Sequence, residues 1–159
     1  MTQDLHDTLS LLARTPAVLE ALLRDLPDTW TLRNEGGSSW SAAEVVAHLV
    51  HAEHTDWIPR AGMILQYGET RMFEPFDRGG HVEESHGLSL QQCLGAFARS
   101  RAASLDQLRG LNLTPEDLER RGCHPSLGTV TLGALLATWV VHDLTHVHQI
   151  SRIMAHQYR

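Results

Sequence analysis

The longest proline-free amphipathic pattern in the chain runs from Thr131 to about His156, and it limits the fold more than any other feature. On a wheel of about 100° per residue with His142 at zero, Leu135, Trp139, Ile150, Leu136, Met154 and Val140 share an arc of roughly 20° to 160°. A helix with such a stripe must bury it against other elements. Strand patterns are nearly absent, and three further long helical patterns supply the partners. The first covers about residues 3–25 and should stop and restart at Thr15-Pro16, where a proline follows a capping threonine. The second opens at Ser41, which forms a capping-box pattern with Glu44, and continues to about Tyr67 with a kink expected at Pro59. The third is capped by Ser89 and extends to about Leu108. LTPEDLERRG has the form of a short capped turn, and CHPSLGTV reads as irregular. The fold class is therefore all-α, most simply a four-helix bundle, with residues 1–159 as one domain.

Residues 68–88 are polar and rich in glycine and proline, and a loop of that length in a compact domain points to a mobile, functional segment. We expect it over the face that carries the chemistry, as a lid. Val46, Val50, Trp57, Ala61 and Ile64 spread beyond a single bundle seam, which predicts a homodimer unless the loop covers them.

Composition excludes some partners. The formal charge of -6 argues against nucleic acid, because phosphate neutralisation needs a basic surface. No apolar run is long enough for a bilayer, so no membrane association is expected. The N-terminus lacks the basic start of a secretory signal, and two cysteines, Cys93 and Cys123, make no disulfide framework, so a cytoplasmic location is expected.

Histidine is the compositional oddity, with eleven scattered along the chain. His142 and His146 are four apart and therefore share a helix face. His146 falls at about 40°, inside the apolar arc, and His142 at its edge. His148 falls on the far side and reads as a surface residue. A lone histidine on an apolar face is ordinarily a hydrogen-bonded core residue. Two desolvated imidazoles each need a partner, however, and one shared metal ion satisfies both. In AHLVHAEH, His48 borders the apolar arc of the second helix, whereas His51 and His54 turn towards solvent. His48, His142 and His146 thus form a candidate three-histidine metal site, with a fourth position left for a ligand.

SSWSAAEVVAHLVHAEHTDWIPR, followed far downstream by LGALLATWVVHDLTHVHQISRIM, resembles the DinB-like family of bacterial four-helix bundles. These are also called YfiT-type metal-dependent enzymes and are unrelated to the DNA polymerase that shares the name. The resemblance covers nearly the whole chain. It rests on a Trp-Ser helix start followed by a histidine and on the His-x3-His of the last helix. It implies that His48, His142 and His146 bind a divalent metal, zinc or nickel, and that the chemistry is thiol-dependent transfer or hydrolysis. A low-molecular-weight thiol is then a possible cofactor and a small molecule the substrate. The alternative is a non-catalytic stress-response or binding module with a structural or vestigial metal site.

General-base candidates are Asp143, Glu53 and His124, none singled out by the residues alone. Glu53 and Asp56 also fit as ion-pair partners of Arg60. Cys123 is a loop cysteine, more often bystander than nucleophile. Asp143 lies at about 100° on the wheel, in mid-arc, so it should be buried and paired, with His48, Trp40 or Arg60 as the donor.

Overall fold

A computed structural model describes residues 4–158 of the chain. Four long helical segments form the bundle, and two of them are broken. The first segment is α1 (Leu5–Leu12) and α2 (Thr15–Leu23), divided where Pro16 forces it; its expected start at residue 3 lies outside the described residues. A short turn, α3 (Asp28–Thr31), leads to the second segment, α4 (Ala42–Thr55) and α5 (Trp57–Tyr67). The Ser41–Glu44 capping box forms as expected, but the break lies at Asp56 and not at Pro59. A proline ring collides with the carbonyl four residues earlier, here that of Thr55. The interruption is therefore displaced upstream, and Pro59 sits in the first turn of the new helix.

The segment after α5 is not a structureless loop. It holds a 3₁₀ turn at Gly68–Thr70 and a short helix, α6 (Gly80–Glu84), and it buries Phe73 and His81. The third bundle helix, α7 (Leu90–Gly110), starts on a Ser89–Gln92 capping box. After α8 (Pro115–Leu118) comes a feature the sequence pattern does not show. Arg121–His124 (β1) and Gly128–Thr131 (β2) form an antiparallel hairpin, with Arg121 opposite Thr131 and His124 opposite Gly128. Phe73 N–H donates to the Cys123 carbonyl at 2.9 Å and ties the α5–α6 connection to the hairpin. Thr131 then caps α9 (Leu132–His156).

Gly122 lets the hairpin lie flat on α5. A Cβ there would stand 2.6 Å from Ile64 Cγ1 and 3.0 Å from Phe73 Cζ, both in packed surroundings. Gly122→Ala should therefore destabilise the protein by about 1–3 kcal/mol in urea unfolding. An unchanged midpoint would mean that the strand is not held against the helix.

The core is divided. One apolar cluster includes Leu19, Val46, Leu49, Leu94, Phe97 and Ile150, and a second includes Leu12, Trp57, Ile64, Leu105, Leu136 and Trp139. Between them, at the same level on every bundle segment, the buried stripe turns polar: Thr15, Glu53, Arg101 and Asp143. Val46, Val50, Trp57, Ala61 and Ile64 are all buried within the single chain, so the surplus from which a dimer was expected is covered internally. Among the described residues no helix is long and apolar enough to cross a membrane.

Candidate metal centre

α4 carries His48 and α9 carries His142 and His146, and the packing of these two helices brings the three rings together. One nitrogen from each ring lies within 4.8 Å of the others. His48 Nε2 and His142 Nε2 are 3.1 Å apart. Two nitrogens bound at about 2.0–2.1 Å to one tetrahedral ion stand roughly 3.3–3.4 Å apart, so this spacing suits a shared ion. Gln149 Oε1 lies 2.8 Å from His146 Nδ1 and can accept a hydrogen bond from its N–H, which leaves the Nε2 lone pair for the cluster. Gln149 is a partner the sequence could have given, since it lies three residues on along the helix.

The charge state fits a cation site. Burial, and then the neighbouring rings of His146 and His142, push the His48 imidazole down to about 3. Burial, then His142, bring His146 to about 4. Both rings are therefore neutral near neutral pH, with lone pairs available. His48 Nδ1 and His142 Nδ1 are buried with no hydrogen-bond partner among the described residues. The three histidines singled out in the sequence are thus brought together as a cluster able to hold a metal ion.

The cluster forms part of the wall of a cleft of about 620 Å³. Trp40 lies tilted against His48 at 4.9 Å between centroids, and His81 from α6 meets Trp40 edge-on at 4.8 Å. Pro75, Phe76 and Arg78 of the α5–α6 connection also line the cleft, so the segment expected as a lid does lie over this face. His81 was not anticipated, because a short helix inside a polar stretch gives no periodic signal. His54 and His148 are exposed as expected, but His51 is buried: its Nδ1 lies 2.8 Å from Glu84 of α6, which also bonds His54. Glu84 thereby ties α6 to α4. Glu84→Gln should quicken amide exchange over residues 80–86 by about fivefold or less, the range of a half-exposed ion pair. Exchange unchanged there would show that other contacts hold α6.

The other sequence candidates divide. Asp143 is buried and fully paired as expected, but none of His48, Trp40 and Arg60 is its partner. Arg101 Nη1 donates to Asp143 Oδ2 at 2.6 Å and Nη2 to Oδ1 at 3.1 Å, and Thr15 Oγ1 donates to Oδ2 at 2.6 Å. The same guanidinium donates two bonds of 2.9 Å to Glu53, and a further 2.9 Å bond to the Leu12 carbonyl. Pro16, four residues after Leu12, has no N–H to occupy that carbonyl, so the helix break supplies an acceptor to the buried arginine. Burial resists ionisation of Asp143, but the His142 ring, Arg101 and Thr15 outweigh it and hold the carboxyl below its usual range. Glu53 and Asp143 are therefore structural acceptors of Arg101, and neither lines the cleft. Glu53 pairs with Arg101, and only Asp56 pairs with Arg60, at 2.6 Å.

Asp56 and His124 do line the cleft, and Asp56 is the one carboxylate that does so among the described residues. Burial pushes its carboxyl above the usual range, although Arg60 and His142 pull the other way. Neither cysteine lines the cleft.

The pattern of the DinB superfamily matches residues 11–150. The chain belongs to the DinB superfamily. Among solved structures, this DinB chain is similar to YfiT from Bacillus subtilis, a probable metal-dependent hydrolase with an unusual four-helix bundle topology. The two share 22% identity at a TM-score of 0.81, over 96% of this chain and 86% of that one. It is also similar to TT2238, a four-helix bundle protein, at 19% identity and a TM-score of 0.62, over 92% of this chain and 98% of that one. No curated protein matches it. These likenesses establish the mostly helical four-helix-bundle fold.

Proposed function

We propose that the protein is a metal-dependent hydrolase acting on a small molecule, with His48, His142 and His146 as the protein ligands of a zinc or nickel ion. The observation that carries this is the convergence of three ring nitrogens on an open cleft with no fourth protein donor among the described residues. A structural zinc site is normally closed by four protein ligands, and a catalytic one keeps a position free. The likeness to YfiT, a probable metal-dependent hydrolase, supports the reaction class.

An ion on three neutral imidazoles supplies an undiminished positive charge that lowers the pKa of water and polarises a carbonyl or phosphoryl oxygen. The chain supplies the rest. Asp56, with its raised pKa, is the group to accept a proton in the cleft, and Arg60 fixes its orientation from the next turn of α5. Trp40, Phe76 and His81 narrow the approach to the histidines and limit bulk water there.

The test is a chelator-stripped protein reloaded with zinc or nickel and assayed on small carboxylic esters, amides and phosphoesters. Reloaded protein should hydrolyse at least one class and stripped protein none. Asp56→Asn should keep its ion but lose turnover. Turnover that survives stripping, or a loaded protein inert to every class, would reject the assignment.

A further inference from the structure

Beyond the histidine cluster, the same cleft contains a second arrangement of polar groups. His124 begins the hairpin turn, and its Nδ1 accepts the backbone N–H groups of Ser126 at 3.1 Å and Leu127 at 3.2 Å. That lone pair is committed, so a neutral ring must carry its proton on Nε2. Burial first, and the Arg60 charge next, lower the pKa of His124, which keeps the ring neutral. Nε2 stands 3.2 Å from Arg60 Nη1. A guanidinium has only donors. Two N–H groups therefore face one another with no acceptor between them.

Arg60 cannot readily turn away. Its Nε is held by Asp56 at 2.6 Å, its Nη2 donates to the Glu74 carbonyl at 3.2 Å, and its side chain is buried. Its guanidinium carbon lies 5.3 Å from the centroid of the Phe73 ring, and the His124 ring meets the same phenyl edge-on at 6.0 Å. Both donors are thus fixed on one aromatic base, and both border the cleft. Arg78 at the rim adds positive charge, while Asp56 offsets Arg60 only on its Nε side.

We propose that Arg60 and His124 form an oxyanion-binding subsite, in which Arg60 Nη1–H and His124 Nε2–H donate to a carboxylate or phosphate group of the ligand. Preorganised donors of this kind, one of them charged, give strong and geometrically selective bonds to anionic oxygen. That the anion belongs to a substrate rests on the hydrolase reading; that the subsite binds anions does not. A hydrolase with this subsite acts on molecules that carry a negative group away from the bond that is cleaved.

The test follows side-chain N–H signals of Arg60 and His124 by nuclear magnetic resonance in the metal-free full chain. It is titrated separately with inorganic phosphate, acetate and the neutral analogue acetamide at constant ionic strength in chloride. Phosphate or acetate should shift both signals saturably and acetamide should not, and the tighter of the two anions gives the chemical class. His124→Asn keeps an acceptor for the turn N–H groups but lacks the reach of Nε2, and it should weaken anion binding at least tenfold. His142→Ala, which disables the metal site, should leave anion binding unchanged. No saturable shift, equal binding by His124→Asn, or loss in His142→Ala alone would overturn the proposal. Anion binding by an unsubstituted chain that takes up neither zinc nor nickel would leave the subsite standing while the hydrolase reading fails.

Discussion

Arg101→Met should destabilise the protein by about 3–5 kcal/mol, a large fraction of the stability of a domain this size. Methionine keeps much of the side-chain stem that packs beside Phe97 and Trp139, whose ring centroids lie 4.8 and 5.0 Å from the guanidinium carbon. It removes the guanidinium that pairs with both Glu53 and Asp143, and both carboxylates stay buried. Each must then remain charged without the guanidinium or take up a proton, and both outcomes cost free energy. Arg99→Met, two residues away on the exposed face of α7, should change stability by less than about 0.5 kcal/mol. Asp143→Ala should cost about 1–3 kcal/mol by leaving Thr15 and one edge of Arg101 unsatisfied, and Asp143→Asn less. The charge argument makes a stronger claim. The triple variant Arg101→Met, Glu53→Met, Asp143→Leu should recover much of the loss, because apolar groups of similar volume replace a whole buried ionic group without residual charge. Urea unfolding near neutral pH measures all five. A loss below about 1 kcal/mol for Arg101→Met would mean that water reaches the carboxylates, and the polar layer would not be the dry clamp that its burial indicates.

That layer was only half legible in the sequence. Asp143 was marked by its place in the middle of an apolar arc. Arg101 has the same signature, since Leu94, Phe97, Arg101, Leu105 and Leu108 follow one another at helical spacing on α7. Arg99 and Arg109 fall off that stripe. Glu53 follows Val46 and Leu49 on α4 in the same way. An arginine on one stripe and carboxylates on two others announce a buried ionic group, but which helices meet at one level is a tertiary fact. The partners of Asp143 were therefore misassigned although its burial was foreseen.

The bundle and its caps were more readily seen. Ser41, Ser89 and Thr131 each accept a backbone N–H three residues on, a local bond that needs no tertiary contact. The hairpin was hidden for the opposite reason. Its strands are four residues long, and β1 is Arg-Gly-Cys-His, with no alternation and little β propensity. What makes it a strand is the contact of Gly122 with Ile64 and Phe73, and Phe73 arrives from a segment that reads as polar. The Arg60–His124 pair was invisible for the same reason, since half of it is placed by that hairpin. The three histidines, by contrast, lie on long regular helices, where the 3.6-residue period alone fixes direction.

Their contribution to binding leads to the second large effect. Added zinc or nickel should stabilise the native chain by about 2.7 kcal/mol at a free concentration a hundred times the dissociation constant, because only the folded state assembles the three donors. His142→Ala should abolish that gain, with affinity falling by more than about a hundredfold, beyond the usual effect of changing a group that merely orients a ligand. The metal-free variant should be nearly as stable as the metal-free parent. His142 Nδ1 is already a buried atom without a hydrogen-bond partner, and its Nε2 stands 3.1 Å from the Nε2 of His48, whose imidazole burial holds neutral. His51→Ala is the control. His51 also has a buried, unpartnered ring nitrogen, Nε2, but its Nδ1 is turned to Glu84 and it is not part of the cluster. Its loss should loosen α6 and leave the metal-induced rise in melting temperature intact. A full metal response in His142→Ala, or its disappearance in His51→Ala, would move the ion away from the three histidines. Burial alone does not separate His51 from His48; the direction of the ring nitrogens does, and the paired variants measure that direction.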